Sequence, residues 1–250
     1  MTFVQEVILI ILFLITSFIG VVTGSNSLIT VPAMFQLGVD PKVAVATNMF
    51  GLTFMSIGAS IPFLRQRAVD FHRTWPLIAL TLISSALGAL LAVVMTTGSL
   101  KLTISVAMIV VAVFILFRRD LGVKQSVSVT TGAIVLTYFL TFALGVYGGL
   151  YSGGYVTILT TVLVAFFGMT FTEAVASTKV INIFSSLIAT AVFIWQGLVD
   201  YKLGIILSVT MFIGAYAGAH YASKMNDVWL RRIFLAAVFL LAIKTLFDFL

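Results

Sequence analysis

Lys179 stands where a charge is expensive. It lies in the stretch EAVASTKVINIFSSLIATAVF, nine residues past Thr170, which places it about 13 Å along a helix that begins there. An ammonium in apolar surroundings calls for a counter-charge or an anionic ligand. Thr178 beside it, Asn182 three positions on, and Ser185 and Ser186 on the same helical stripe supply further polar groups for such a ligand. Two polar breaks could complete the site, Gly24-Ser25-Asn26-Ser27 and the Ser152-Gly153-Gly154 part of GVYGGLYSGGYVT. Each interrupts an apolar run. Glycine lets a ligand approach the backbone, and a helix restarting after the break presents unpaired N–H groups and the positive end of its dipole. Thr47 and Asn48, in AVATN, occupy the matching region of the first half. The candidate binding set is therefore Ser25, Asn26, Ser27, Thr47, Asn48, Ser152, Gly153, Gly154, Thr178, Lys179 and Asn182, and the chemistry is the holding of a small anion.

The competing explanations are structural. Gly and Ser are common packing and kink residues in membrane helices, and a buried lysine can pair with a carboxylate. Against the second, Glu6, Asp40, Asp70, Asp120, Glu173, Asp200, Asp227 and Asp248 all read as loop or helix-end residues. The same distribution leaves no buried carboxylate for a proton relay or a sodium site and disfavours a cationic substrate. With no cysteine and only His72 and His220, neither a metal site nor a cofactor is expected. There is no Ser/His/Asp, His/Glu/His or paired-Asp constellation within the segments and no Walker motif, so no enzyme and no ATP hydrolysis are expected.

The elements that must position these residues are membrane helices. Hydrophobic residues make up 61% of the 250 and charged ones 9%, with a mean hydropathy of +1.21, far outside the range of soluble domains. The apolar runs have helical length and lack the alternation of barrel strands. The first, over 2–22, has no basic n-region and no convincing cleavage site, so it reads as a retained helix. The formal charge of +6 sits mostly in short loops, where it orients a chain in a bilayer rather than binding nucleic acid.

The chain reads as two copies of one unit. Gly38 recurs as Gly168, AVATN as AVAST (Ala174 to Thr178), VDF (Val69 to Phe71) as VDY (Val199 to Tyr201) and Gly88-Ala89 as Gly218-Ala219, each pair 130 positions apart as 168 is from 38. Gly20 and Gly24 match Gly145 and Gly149 at 125, which implies a small insertion around 151–154. The halves are 1–120 and 125–250. Each holds a long apolar segment, a break, a short segment of roughly 11 to 14 residues and three full-length segments. These lie at 41–64, 74–96 and 101–117, and at 171–195, 202–222 and 229–247. Asp40 followed by Pro41, and Thr170 with Glu173, mark helix starts in one register.

The loop at 65–73 carries Arg65, Arg67 and Arg73, whereas its counterpart at 196–202 has Lys202 beside Asp200. The loop at 97–101 has Lys101 alone, while 223–232 has Lys224, Arg231 and Arg232, and Arg118, Arg119 and Lys124 lie between the halves. By the positive-inside rule the halves have opposite orientations, with both termini on the outer side of the cell (plasma or inner) membrane. A short segment of 11 to 14 residues covers only about 16 to 21 Å of a core about 30 Å thick, which puts the breaks inside the membrane whether the chain crosses or returns as a hairpin. The fold class expected is an all-α integral membrane protein, an inverted-topology repeat of two five-segment halves with about eight full transmembrane helices plus two short or re-entrant ones. His72 is expected in a solvated loop and His220 at a helix end in a packing or interfacial role. Trp75, Trp195, Trp229 and Tyr201 fall at segment boundaries as an aromatic belt, and the glycines of ALGAL and AGA bring helices together.

The break followed by ITVPAMFQLGVDPKVAVATN (Ile29 to Asn48), the VDF and Gly88-Ala89 signatures, and GMTFTEAVASTKVIN (Gly168 to Asn182) resemble the sulfite exporter TauE/SafE family of membrane transporters over nearly the whole chain. That family's first break is usually glycine-rich, where this chain has Gly24-Ser25-Asn26-Ser27. The resemblance implies export of sulfite or a small organosulfonate of the sulfoacetate type, with the site at both breaks and at the Ala-Thr-Asn and Ser-Thr-Lys stretches. An anion leaving an inside-negative cell gains about 2.3 kcal/mol per charge per 100 mV, enough for export without a coupling ion. The expected partners are a small anionic substrate and the lipid bilayer; a homo-oligomer is compatible with the sequence. An anion channel, or a non-transport membrane assembly factor for a metalloprotein complex, are the alternative readings.

Overall fold

The computed structural model describes residues 3–24, 26–117, 130–226, 228, 229 and 232. Through these run nine helices: α1 (Phe3–Thr23), α2 (Ser27–Gln36), α3 (Pro41–Arg65), α4 (Phe71–Val94), α5 (Thr97–Phe117), α6 (Thr131–Leu150), α7 (Tyr155–Phe167), α8 (Phe171–Trp195) and α9 (Tyr201–Ala222). Six of them, α1, α3, α4, α6, α8 and α9, are long and apolar enough to cross a membrane. The last expected segment, 229–247, lies outside the described residues except for 229 and 232. The short helices are 10 residues in α2 and 13 in α7, about 15 and 20 Å, which is half to two-thirds of a bilayer core. The first is a residue shorter than the low end of the sequence expectation because Leu37 and Gly38 already form its closing turn.

The long helix after each short one begins on a side-chain cap. Asp40 accepts from the backbone N–H of Lys42 at 2.9 Å and of Val43 at 3.3 Å, and Thr170 and Glu173 form a reciprocal capping box at the head of α8. The repeated VDF and VDY have the same cause. Asp70 accepts from His72 N–H at 3.0 Å, and Asp200 from Leu203 N–H at 3.0 Å, so these aspartates start α4 and α9. The preceding turns also match, with Arg67 (φ 54°) and Gly197 (φ 66°) left-handed. Ala68 N–H bonds Phe63 O, and Leu198 N–H bonds Phe193 O, both at 3.0 Å, closing the α3 and α8 ends. Helix therefore extends further than expected from sequence. His72 and Arg73 lie in the first helical turn of α4 rather than in a loop, and Lys101 lies in the first turns of α5, whose start is tied by Ser99 N–H to Thr96 Oγ1 at 3.2 Å.

Helices α3 and α8 form the centre, with 78% and 61% of their most apolar windows buried. They cross antiparallel: Thr53 meets Thr190 at 3.5 Å, and Asn182 Nδ2 donates to Ser56 Oγ at 2.7 Å. Helix α9 packs on α3 and α4 on α8, while α1 packs on α9 and α6 on α4. Exchanging α1 with α6, α3 with α8 and α4 with α9 turns the pair α3–α9 into α8–α4 and α1–α9 into α6–α4. Small residues make the outer pairs close. Gly218 faces the Phe18 carbonyl and Gly88 the Val146 carbonyl, and a Cβ at Gly214 would lie 2.6 Å from Leu14 O. Ile83, Val94, Phe139, Val209 and Ile213 stay exposed on the outer surface, as lipid-facing side chains do. Trp75, Trp195, Trp229 and Tyr201 are exposed near helix ends, fitting an aromatic belt.

Candidate functional site

The two breaks meet. The first, between α1 and α2, turns at Gly24 with φ 69°, and the second, between α6 and α7, at Ser152 (69°) and Gly154 (78°). Left-handed backbone is costly for serine, a strain that surrounding structure must hold in place. Glycine is required at 24 twice over, since a Cβ there would also lie 2.8 Å from the backbone nitrogen of Thr157. Thr157 Oγ1 donates to Thr23 O at 2.6 Å and Tyr151 OH to Ser27 O at 3.1 Å, so each break is tied to the other. Tyr147 OH in turn donates to Gly153 O. Helix α2 starts with Ile29 and Thr30 N–H on Asn26 O, which leaves Ser27 and Leu28 N–H without intrahelical acceptors.

Between the breaks lies a small cavity lined by residues of α1, α2, α3, α7 and α8, among them Gly20, Asn26, Ser27, Ser56, Ser152, Lys179 and Asn182. It offers about 20 Å³ to the centre of a water-sized sphere, room for about one water. Among the described residues Lys179 is the one charged residue in its wall, and it is 4% exposed. Its Nζ donates to Gly20 O at 3.1 Å. That carbonyl also takes Gly24 N–H at 2.8 Å, so the ammonium sits at the C-terminal, negative end of α1. Among the described residues no carboxylate pairs with it; the one ion pair there is Lys202 with Glu6 at 2.8 Å, near the starts of α9 and α1. Nor is there a His/Cys/Asp/Glu group suited to a metal among them.

Five residues singled out from sequence therefore share the cavity wall: Asn26, Ser27, Ser152, Lys179 and Asn182. Asn48 stands one step behind, donating Nδ2 to Ser27 Oγ at 2.9 Å and accepting from Thr30 Oγ1 at 2.8 Å. Thr178 makes a like contact between α8 and α7, 3.2 Å from Thr160 Oγ1. Gly153 and Gly154 shape the second break; added Cβ atoms there would strike Tyr151 and Val111. Thr47 goes elsewhere. Its Oγ1 accepts from Asp200 N–H at 3.1 Å, tying α3 to the turn before α9. Ser25 lies outside the described residues. Sequence reasoning missed Ser56 and Met55, both on the wall. The repeat offset pointed at them, since 130 positions on stand Ser186 and Ser185, polar residues on the Lys179 stripe. His220 ends α9 exposed, with Nε2 2.9 Å from Lys224 Nζ.

Membrane-length helices wrapped around a buried polar cavity at two facing helix breaks define a multi-pass membrane protein built to handle a small polar solute. The family model for the sulfite exporter TauE/SafE matches residues 9–245, and the chain belongs to that family of membrane transporters. It is 28% identical to a probable membrane transporter protein of Haemophilus influenzae, over 94% of this chain and 91% of the relative. It is 28% identical to the probable membrane transporter protein ORF9 of a Sinorhizobium species, over 94% and 89%, and 26% identical to the probable membrane transporter protein YfcA of Escherichia coli K12, over 94% and 87%. No solved structure matches the chain.

Proposed function

We propose that the protein exports a small oxyanion, sulfite or an organosulfonate, across the inner membrane, with the anion held between the two breaks. The observation that carries this reading is Lys179, a buried ammonium that no described carboxylate offsets, facing a cavity shared with Asn26, Ser27, Ser152 and Asn182. An uncompensated charge at membrane depth is costly, and a bound anion supplies the missing compensation. With room for about one water, the cavity must widen to take an oxyanion, as an alternating-access carrier does when it opens to one side. The halves, 1–120 and 125–250, act as inverted repeats with both termini outside. The antiparallel crossing of α3 and α8, which are counterparts in the repeat, and the exchange symmetry of the packing support that arrangement.

Efflux of radiolabelled sulfite and methanesulfonate from proteoliposomes tests the function. Saturable efflux, accelerated by the same anion outside and abolished by Lys179→Met, is expected. A single-channel conductance would favour a channel instead, and no flux of any anion would favour an assembly role.

A further inference from the structure

We infer that the cavity selects an oxyanion that carries one negative charge and its own hydroxyl donor; this rests on the anion-site reading above and narrows it. The charge count comes first. Among the described residues Lys179 is the one charged residue in the wall. Each break brings together a helix C-terminus and a helix N-terminus, α1 with α2 and α6 with α7. Their dipole ends, about −0.5 and +0.5 of a charge each, nearly cancel. One full positive charge remains, which balances a monoanion and leaves a dianion with an uncompensated charge in a buried site.

The hydroxyl follows from Asn26. Its side chain is 4% exposed, on the cavity wall, and Nδ2 is turned to Met55 Sδ at 3.5 Å. Oδ1 is buried without a hydrogen-bond partner among the described residues. A buried acceptor is satisfied only by a donor, and a fully deprotonated oxyanion offers none. Hydrogen sulfite, or a sulfonate bearing a hydroxyl, places its charged oxygens near Lys179 and its O–H on Asn26 Oδ1. A site built to take a hydroxyl rejects the analogue lacking one, because the acceptor is then left unpaired.

Three probes of fixed charge separate these demands at a single pH: hydroxymethanesulfonate, ethanesulfonate, which is the same shape with a methyl for the hydroxyl, and sulfate, a dianion. Affinities are measured by thermal stabilisation of the purified full-length protein in detergent. Hydroxymethanesulfonate is expected to bind about tenfold more tightly than ethanesulfonate, and both more tightly than sulfate. Asn26→Leu is expected to bring the first two together while ethanesulfonate still binds. Sulfate binding as tightly as hydroxymethanesulfonate, equal binding of the two sulfonates to the native protein, or a hydroxyl preference that survives Asn26→Leu would each overturn the inference. The native-protein comparison decides the matter even if the variant does not fold. Binding of none of the three, or unchanged binding in Lys179→Met, would overturn the anion site itself.

Discussion

Replacing Asn48 by leucine removes both ends of a relay, the donor to Ser27 Oγ and the acceptor for Thr30 Oγ1. Two hydroxyls are left buried with fewer partners, at a cost of about 1–3 kcal/mol. The expected outcome is a lower melting temperature together with weaker anion stabilisation, because Ser27 stands on the cavity wall. Thr47→Val, one residue away, removes only the acceptor for Asp200 N–H. It is expected to lower the melting temperature while leaving anion affinity unchanged within about twofold; a binding loss equal to that of Asn48→Leu would refute this separation of roles. The two residues look alike in AVATN, since sequence spacing places both on a helix but does not say which neighbour each one faces. Lys179 was legible because a charge in an apolar run is conspicuous. Ser56 was not, because a serine in such a run is ordinary until Asn182 is seen to reach it.

At the level of elements, the four long helices that follow breaks and tight turns owe their starts to Asp40, Asp70, Thr170 and Asp200. Thr170→Ala loses the arm of the capping box in which Thr170 Oγ1 accepts from Glu173 N–H, keeps the one from its own N–H to the Glu173 carboxylate, and is expected to lower stability by about 1 kcal/mol, read as a shift in thermal melting. Arg67 holds the left-handed turn position that glycine holds at 197. Arg67→Gly should therefore stabilise the turn by about 1 kcal/mol, read in the same assay, although it also removes an orienting charge. The close pair α1–α9 is more demanding. Gly218→Leu drives a side chain into the Phe18 carbonyl, and poor yield of folded protein in detergent is expected. Caps and glycines were visible in the sequence because their chemistry is local. Helix starts shifted by a few residues, as at Arg73 and Lys101, because a cap's hydrogen bonds rather than hydropathy decide where a helix begins.

For the molecule as a whole, the absence of native cysteine makes topology directly testable. A cysteine in place of Lys202 is expected to react with an impermeant thiol reagent from outside the cell, and one at Arg67 only after the membrane is opened. The reverse pattern would invert the orientation proposed here. Cysteines at Thr53 and Thr190, whose hydroxyls lie 3.5 Å apart across the central helices, are expected to form a cross-link that stops anion efflux but preserves anion binding. Unimpaired efflux in the cross-linked protein would argue against relative movement of α3 and α8 during transport. Sequence alone determined the membrane class, the all-helical character of the described residues and the candidate breaks. Hydropathy, caps and the 130-residue offset are local or periodic properties that need no contacts to be read. Only the tertiary structure decided that the two breaks face one another, that Lys179 reaches Gly20 159 positions away, and that Asn26, Ser152 and Asn182 share one wall while Thr47 does not. Those contacts join helices far apart in the chain, and their partners are set by how the helices cross, which no local spacing encodes.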